Sequence, residues 1–161
     1  MTAQILDSSM KCYRIGDLDG KYHIFDATGS RLSPGRWNKP TSPMIYTSRH
    51  FSTALLEKLV RGSGSLPPNQ HYAEIEVPRG ASYEVFSQPS LPGWDEMPPD
   101  KSRNFGDAWC QEKRSLVLIV PSVVARIDEN VLINPEHPEF KDIIRPELHR
   151  PVFWDRRLFG G

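Results

Sequence analysis

GRWNKPTSPMIYTSRHFSTALLEKLVR, residues 35–61, holds a tight turn, a short strand and one amphipathic helix in a single run. Ser33-Pro34-Gly35 is turn chemistry leading into Arg36-Trp37-Asn38. After Pro43, Met44-Ile45-Tyr46 has the apolar and aromatic character of a strand. Ser48 stands where the N-cap of the following helix is expected, and Gly62 where that helix stops. Phe51, Ala54, Leu55 and Leu59 recur at helical spacing and predict its buried face. The same geometry sets Glu57 away from the centre of that stripe, beside His50, Thr53 and Arg61. A strand followed at once by a helix, in a chain with 15 prolines and 11 glycines, predicts short mixed elements and not a helical bundle. The expected fold is one compact α+β domain, a mixed β-sheet core flanked by short helices.

Working outward, residues 1–10 read as a loose lead-in. Cys12-Tyr13-Arg14-Ile15 reads as a strand closed by Gly16-Asp17, and residues 21–34 as a loop. Tyr72 to Val77 alternates as a strand stopped by Pro78, and Ser82 to Phe86 is a second. Residues 88–101 carry four prolines yet also Trp94 and Met97, which leaves an ordered flap and a disordered excursion both open. Ser102 is a candidate cap for a helix through Phe105, Ala108 and Trp109, with Gly106 as an awkward interior residue. Ser115 to Val120 is apolar on both faces and predicts a central strand. Val123 to Ile127 and Val131 to Ile133 continue with β-branched residues before Asn134-Pro135-Glu136-His137-Pro138 turns the chain.

The totals narrow the function. Twenty basic and twenty acidic side chains give zero formal net charge, which argues against a protein that holds a phosphate backbone by bulk electrostatics. Cys12 and Cys110 are too few for a disulfide framework and have no metal-ligand spacing, so reduced thiols, no bound metal and a cytoplasmic location are expected. The longest apolar run, 116–125, is broken by Pro121 and too short to span a bilayer. There is no phosphate-binding glycine loop of the Walker or Rossmann type.

Four side chains are candidates for chemistry, each with an ordinary alternative. Arg36 has the planar fork that suits a phosphate or carboxylate, with Trp37 to stack on it; the alternative is a surface arginine lying over Trp37. Tyr46, at a strand end before a helix, is placed to present its ring to a planar ligand, or else is a core tyrosine with a satisfied hydroxyl. Glu57 is either a carboxylate in a cleft or half of an exposed ion pair with Arg61, worth about 0.3–0.5 kcal/mol. For these three, pattern alone favours the ordinary reading. Ser122 follows a proline at the end of a buried strand, fit for hydrogen bonding or for capping the strand. With no Gly-x-Ser-x-Gly present, a serine nucleophile is disfavoured.

The order of short motifs adds a resemblance. Tyr13-Arg14-Ile15, Gly35-Arg36-Trp37-Asn38, Ile45-Tyr46-Thr47-Ser48, Ala54-Leu55-Leu56-Glu57, Gly106-Asp107-Ala108-Trp109, Val120-Pro121-Ser122, Asn134-Pro135-Glu136-His137-Pro138 and Asp155-Arg156-Arg157-Leu158 together resemble RES-domain proteins. These are the toxin half of bacterial RES-Xre toxin-antitoxin pairs. The arginine, glutamate and serine that name the family fall on Arg36, Glu57 and Ser122, with Tyr46 as a further site position. The resemblance implies a fold like the ADP-ribosyltransferases over residues 11–161. It also implies an activity that consumes NAD as a substrate, with no cofactor or metal, by splitting nicotinamide from ribose with water or inorganic phosphate as acceptor. Glu57 would stabilise the oxocarbenium-like ribose, Arg36 hold the pyrophosphate, Tyr46 pack against nicotinamide and Ser122 hydrogen-bond the nucleotide, with Trp37 and Asn134 as further binding candidates. The alternatives are transfer of ADP-ribose to a protein and a non-catalytic partner-binding module. The implied partner is a helix-turn-helix antitoxin of the Xre family that binds DNA, in a hetero-oligomer with this chain.

Overall fold

A computed structural model describes residues 3–17, 24–143 and 149–160. Its strands are β1 (Gln4–Ile5), β2 (Met10–Asp17), β3 (Ile45–Ser48), β4 (Gln70–Val77), β5 (Ser82–Val85), β6 (Val117–Pro121), β7 (Glu129–Ile133) and β8 (Arg150–Pro151). The α-helices are α1 (Thr28–Leu32), α2 (Phe51–Arg61) and α3 (Asp100–Gln111). The strands form one eight-stranded sheet in the order β1-β5-β6-β7-β3-β2-β4-β8. Among the described residues only β5 and β6 run parallel; the other neighbours are antiparallel. This is the expected α+β domain with a mixed sheet, and β6, apolar and buried, lies inside it.

Alternation along the strands divides the core in two. On one face Met10, Cys12, Ile45, Ile75, Ile119, Val131 and Ile133 pack together, covered by Phe25, Ala27, Phe140 and Ile143. On the other, Leu118, Val120, Leu132 and Tyr46 meet Trp37, Met44, Phe86, Trp94, Trp109 and Cys110. Helix α3 supplies Trp109 and Cys110 to this second core, and Gly106 is what lets it come close. A Cβ at Gly106 would stand 1.7 Å from the carbonyl oxygen of Trp37. The awkward glycine is therefore a contact point between α3 and the Gly35–Asn38 turn.

Several local expectations change. Residues 4–5 pair with β5 and Met10 is buried, so the described part of the lead-in, residues 3–10, is tied to the sheet. The stretch 28–32 is helical, while residues 21–23 of the expected loop lie outside the described residues. Residues 88–101 are ordered: Trp94 is buried and stacks on Trp37 with ring centroids 6.0 Å apart. Val123 to Ile127 is a turn, not a strand, because Pro121 ends the ladder and Ser122 Oγ captures the Ala125 amide at 3.0 Å; Ile127 is 98% exposed. Ser48 does not cap α2. His50 takes that place without a side-chain bond, and the Ser48 hydroxyl donates instead to Asn130 Oδ1 at 2.8 Å.

Candidate active site

The sheet is split in its middle. β2 pairs with β4 through eight residues but with β3 only at Tyr13 and Ser48. Beyond that pair the strands part, and backbone acceptors that a ladder would satisfy need other donors. Arg14 supplies one: its Nη1 donates to the Tyr46 carbonyl at 2.8 Å, and its Nε donates to the Ile24 carbonyl. Over this split lies an open cleft of about 280 Å³. Tyr13, Arg14, Tyr46, Ser48 and Asn130 line it from the sheet, and Ala54, Glu57, Lys58 and Arg61 from α2.

Helix α2 lies on the second face, where the Phe51 ring meets Tyr13 and Tyr72 edge-on at 6.0 and 4.8 Å. Thr53 and Ala54 are its buried residues, while Phe51, Leu55 and Leu59 are only half-buried. The polar side that looked solvated thus faces the sheet. Thr53 Oγ1 donates to Asp128 Oδ2 at 2.9 Å, and one turn later Glu57 reaches the same end of the sheet. Glu57 Oε1 accepts from Ser122 Oγ and from Asn130 Nδ2, both at 2.8 Å. Glu57 and Arg61 form no ion pair. Oε2 accepts no hydrogen bond from a described residue, so one oxygen is fixed and the other is left to the cleft.

Tyr46 is held by the turn that precedes it. Its hydroxyl donates to Asn38 Oδ1 at 2.7 Å and accepts from the Trp37 amide at 3.1 Å. Asn38 Oδ1 also takes the Gly35 amide at 2.8 Å, closing the turn on the ring. Gly35 is required there: a Cβ would stand 2.7 Å from Tyr46 Cζ. From α3, Arg103 donates to the carbonyls of Gly35 and Pro34 at 2.8 and 3.0 Å.

The other sequence candidates go elsewhere. Arg36 Nη1 donates to the carbonyls of Trp94 and Glu96 at 3.1 and 2.9 Å, and its Nη2 lies 3.4 Å from Met97 Sδ. Its guanidinium therefore ties down the 94–97 segment and does not line the cleft. Trp37 is buried in the second core, where Phe86 and Phe105 meet it edge-on. Asn134 is fully buried, donating to the Cys110 carbonyl at 3.0 Å and accepting the Glu136 amide at 3.0 Å. Ser122 is also fully buried, and its hydroxyl serves Glu57 and the 122–125 turn. The cleft instead uses Arg14, Lys58, Arg61 and Asn130. Arg14 was visible inside the Tyr13-Arg14-Ile15 motif, but nothing in the spacing marked Asn130, whose role needs the β3–β7 register.

Burial governs the electrostatics. It pushes the Tyr46 phenol up to about 12, so the ring stays neutral against the lowering pull of the Trp37 amide and of Arg61, Arg103 and Arg14. Burial, followed by repulsion from Arg61, brings the Arg14 guanidinium down to about 10. Lys58 is lowered by burial, then pulled up by Asp17 and down by Arg61 and Arg14. Among the described residues no group of three or more His, Cys, Asp or Glu is placed to hold a metal ion. None of the described helices is long and apolar enough to cross a membrane.

Residues 11–155 match the RES domain family model. The chain is 39% identical over 153 residues to the Prs ADP-ribosylating toxin of Sphingobium sp. (strain YBL2), covering 92% of this chain and 91% of that protein. It is 31% identical over 143 residues to Toxin Res of Pseudomonas putida, covering 86% and 94%. The fold superposes with a TM-score of 0.72 on the crystal structure of the M. tuberculosis MbcT-MbcA toxin-antitoxin complex, at 14% identity over 92% of this chain and 86% of that one. A match spanning most of the chain, with relatives above 30% identity, places this protein in the RES domain family.

Proposed function

We propose that this chain is the toxin of a toxin-antitoxin pair that cleaves the bond between nicotinamide and ribose in NAD. One observation carries the reading: Glu57 is fixed through Oε1 by Ser122 and Asn130 while Oε2 remains open to a cleft whose wall includes Tyr46. Breaking that N-glycosidic bond builds positive charge on the ribose, and a preoriented carboxylate stabilises it without reorganising. Nicotinamide leaves as a neutral molecule, so no strong general acid is needed. Tyr46, half-buried and neutral, offers a rigid ring face for nicotinamide. Water or inorganic phosphate is the acceptor. Purified protein incubated with NAD, antitoxin absent, should release nicotinamide, and Glu57→Ala should lower turnover by about 10²–10³ while staying folded. No release from the wild type sinks the proposal.

The name of the Sphingobium relative favours a second reading, transfer of ADP-ribose to a protein. Label from NAD appearing on a protein acceptor, not as free product, selects it. An antitoxin partner is supported by the fold neighbour, which is a toxin-antitoxin complex, and we assign it to the helix-turn-helix Xre class. The neutral charge of this chain leaves DNA contacts to that partner, and both would act in the cytoplasm. A purely partner-binding module is excluded if Glu57→Ala loses toxicity yet keeps antitoxin binding.

A further inference from the structure

Arg61 and Lys58 are left over by the chemistry just described, yet both line the same cleft. Neither forms an ion pair with a described residue. The carboxylates nearby are engaged by other donors: Glu57 by Ser122 and Asn130, Asp17 by Gln70, and Asp26 by the Thr28 amide at 2.6 Å. Arg14, the third cation of the cleft, spends two donors on backbone carbonyls. The three cations also repel one another, as the lowering effects of Arg61 on both Arg14 and Lys58 record. Asp17, Asp26 and Glu57 line the same cleft, and Asp17 pulls Lys58 up as Asp26 does Arg14, but no ion pair joins a described residue to Lys58 or Arg61, so their donors remain to meet an entering anion.

The spacing fits a particular anion. Arg61 follows Glu57 by four residues, about one turn or 6 Å along the helix axis. In a dinucleotide one ribose separates the glycosidic carbon from the first phosphate. A substrate with its glycosidic carbon at Glu57 and its phosphates pointing along α2 would therefore reach Arg61 with them. Arg36, the sequence candidate for this task, spends its Nη1 on the carbonyls of Trp94 and Glu96 and does not line the cleft.

We infer that Lys58 and Arg61, with Arg14 behind them, form the pyrophosphate-binding end of the cleft. The inference rests on the NAD reading for the placement of the ribose, but its test does not depend on cleavage. ADP carries the pyrophosphate and lacks the scissile bond, so its affinity can be measured by calorimetry on the full chain. Wild-type protein should bind ADP with an affinity that falls as salt rises, and more tightly than it binds inorganic phosphate. Arg61→Ala and Lys58→Ala should each weaken ADP by roughly tenfold, and Arg61→Lys should recover part of the loss. Arg61 is exposed, so its variants are expected to fold, and unchanged thermal melting checks this. Adenosine, without phosphates, should bind the variants and the wild type alike. A Lys58→Ala/Arg61→Ala protein that binds ADP as the wild type does overturns the inference, as does a wild type that binds no ADP or binds phosphate equally well. If that double variant loses ADP while the wild type releases no nicotinamide, the anion site stands and the cleavage reading falls.

Discussion

Ser122 Oγ donates to Glu57 Oε1 at 2.8 Å and itself accepts the Ala125 amide at 3.0 Å, which fixes the direction of the hydroxyl proton toward the carboxylate. Asn130 Nδ2 reaches the same oxygen, and Ser48 holds Asn130 by its Oδ1. Ser122, expected from the sequence to meet the nucleotide, thus bonds the Glu57 carboxylate instead. Ser122→Ala should lower kcat by up to about 10²-fold with little change in KM, because a misaimed carboxylate costs in the transition state more than in binding. Loss confined to KM would return Ser122 to direct ligand contact. Since both donors serve one oxygen, Ser122→Ala and Asn130→Ala should be non-additive in a double-mutant cycle.

Two glycines test the turn that holds Tyr46. Gly35→Ala pushes a methyl group against a ring whose hydroxyl is tied at Asn38 and Trp37, so the ring has little room to yield. A loss of about 1–3 kcal/mol in urea unfolding is expected. Gly106→Ala meets a backbone carbonyl that cannot move aside, and should cost more than Gly35→Ala. The reverse order would show that α3 shifts more easily than Tyr46.

Much of this is legible in the sequence, for reasons particular residues make plain. Strands β4, β5 and β6 announce themselves by alternation or by continuous apolar runs, and α2 by its stripe. Side-chain direction was the weak point. Periodicity placed Thr53 and Glu57 on one side of α2 but not which side met the sheet, because the polar partners Asp128, Asn130 and Ser122 are more than sixty residues away in sequence. The same blindness hid the acceptors that Arg36 meets, which are carbonyls of a proline-rich segment. Val123 to Ile127 misled by composition: β-branched residues sit there in a turn that a serine hydroxyl and Pro121 dictate.

Tyr46 gives a pH signature. Its phenol, pushed up to about 12, keeps its proton in the folded state over a window where the unfolded chain, with an ordinary value near 10, has lost it. The folded state then binds more protons, so stability is full below about pH 10 and declines as pH rises toward 12, by up to about 3 kcal/mol. Cys12, raised to about 11 by burial, acts in the same direction, while Arg14, lowered to about 10, acts in the opposite one. The difference between wild type and Tyr46→Phe isolates the phenol. Urea midpoints should converge as pH rises from about 9 to 11, and midpoints that stay parallel would show that Tyr46 ionises freely.

Arg36 decides whether the 94–97 segment is fixed or movable. Its guanidinium donates to two carbonyls of that segment, while Trp94 packs beneath on Trp37 and Arg126 pairs with Asp95 at 2.7 Å from the opposite side. Hydrogen bonds from a charged donor to carbonyls contribute about 1–2 kcal/mol each when partly shielded. Arg36→Ala removes both at once and leaves the aromatic stack in place. Amide hydrogen exchange over residues 93–98 should then speed by about tenfold or more without substrate present, while exchange in β6 and β7 stays as in the wild type. Lysine at the same position, a point charge without the planar fork, should restore only part of the protection. Unchanged exchange in Arg36→Ala, together with a raised KM for NAD, would instead make Arg36 a substrate contact that swings into the cleft.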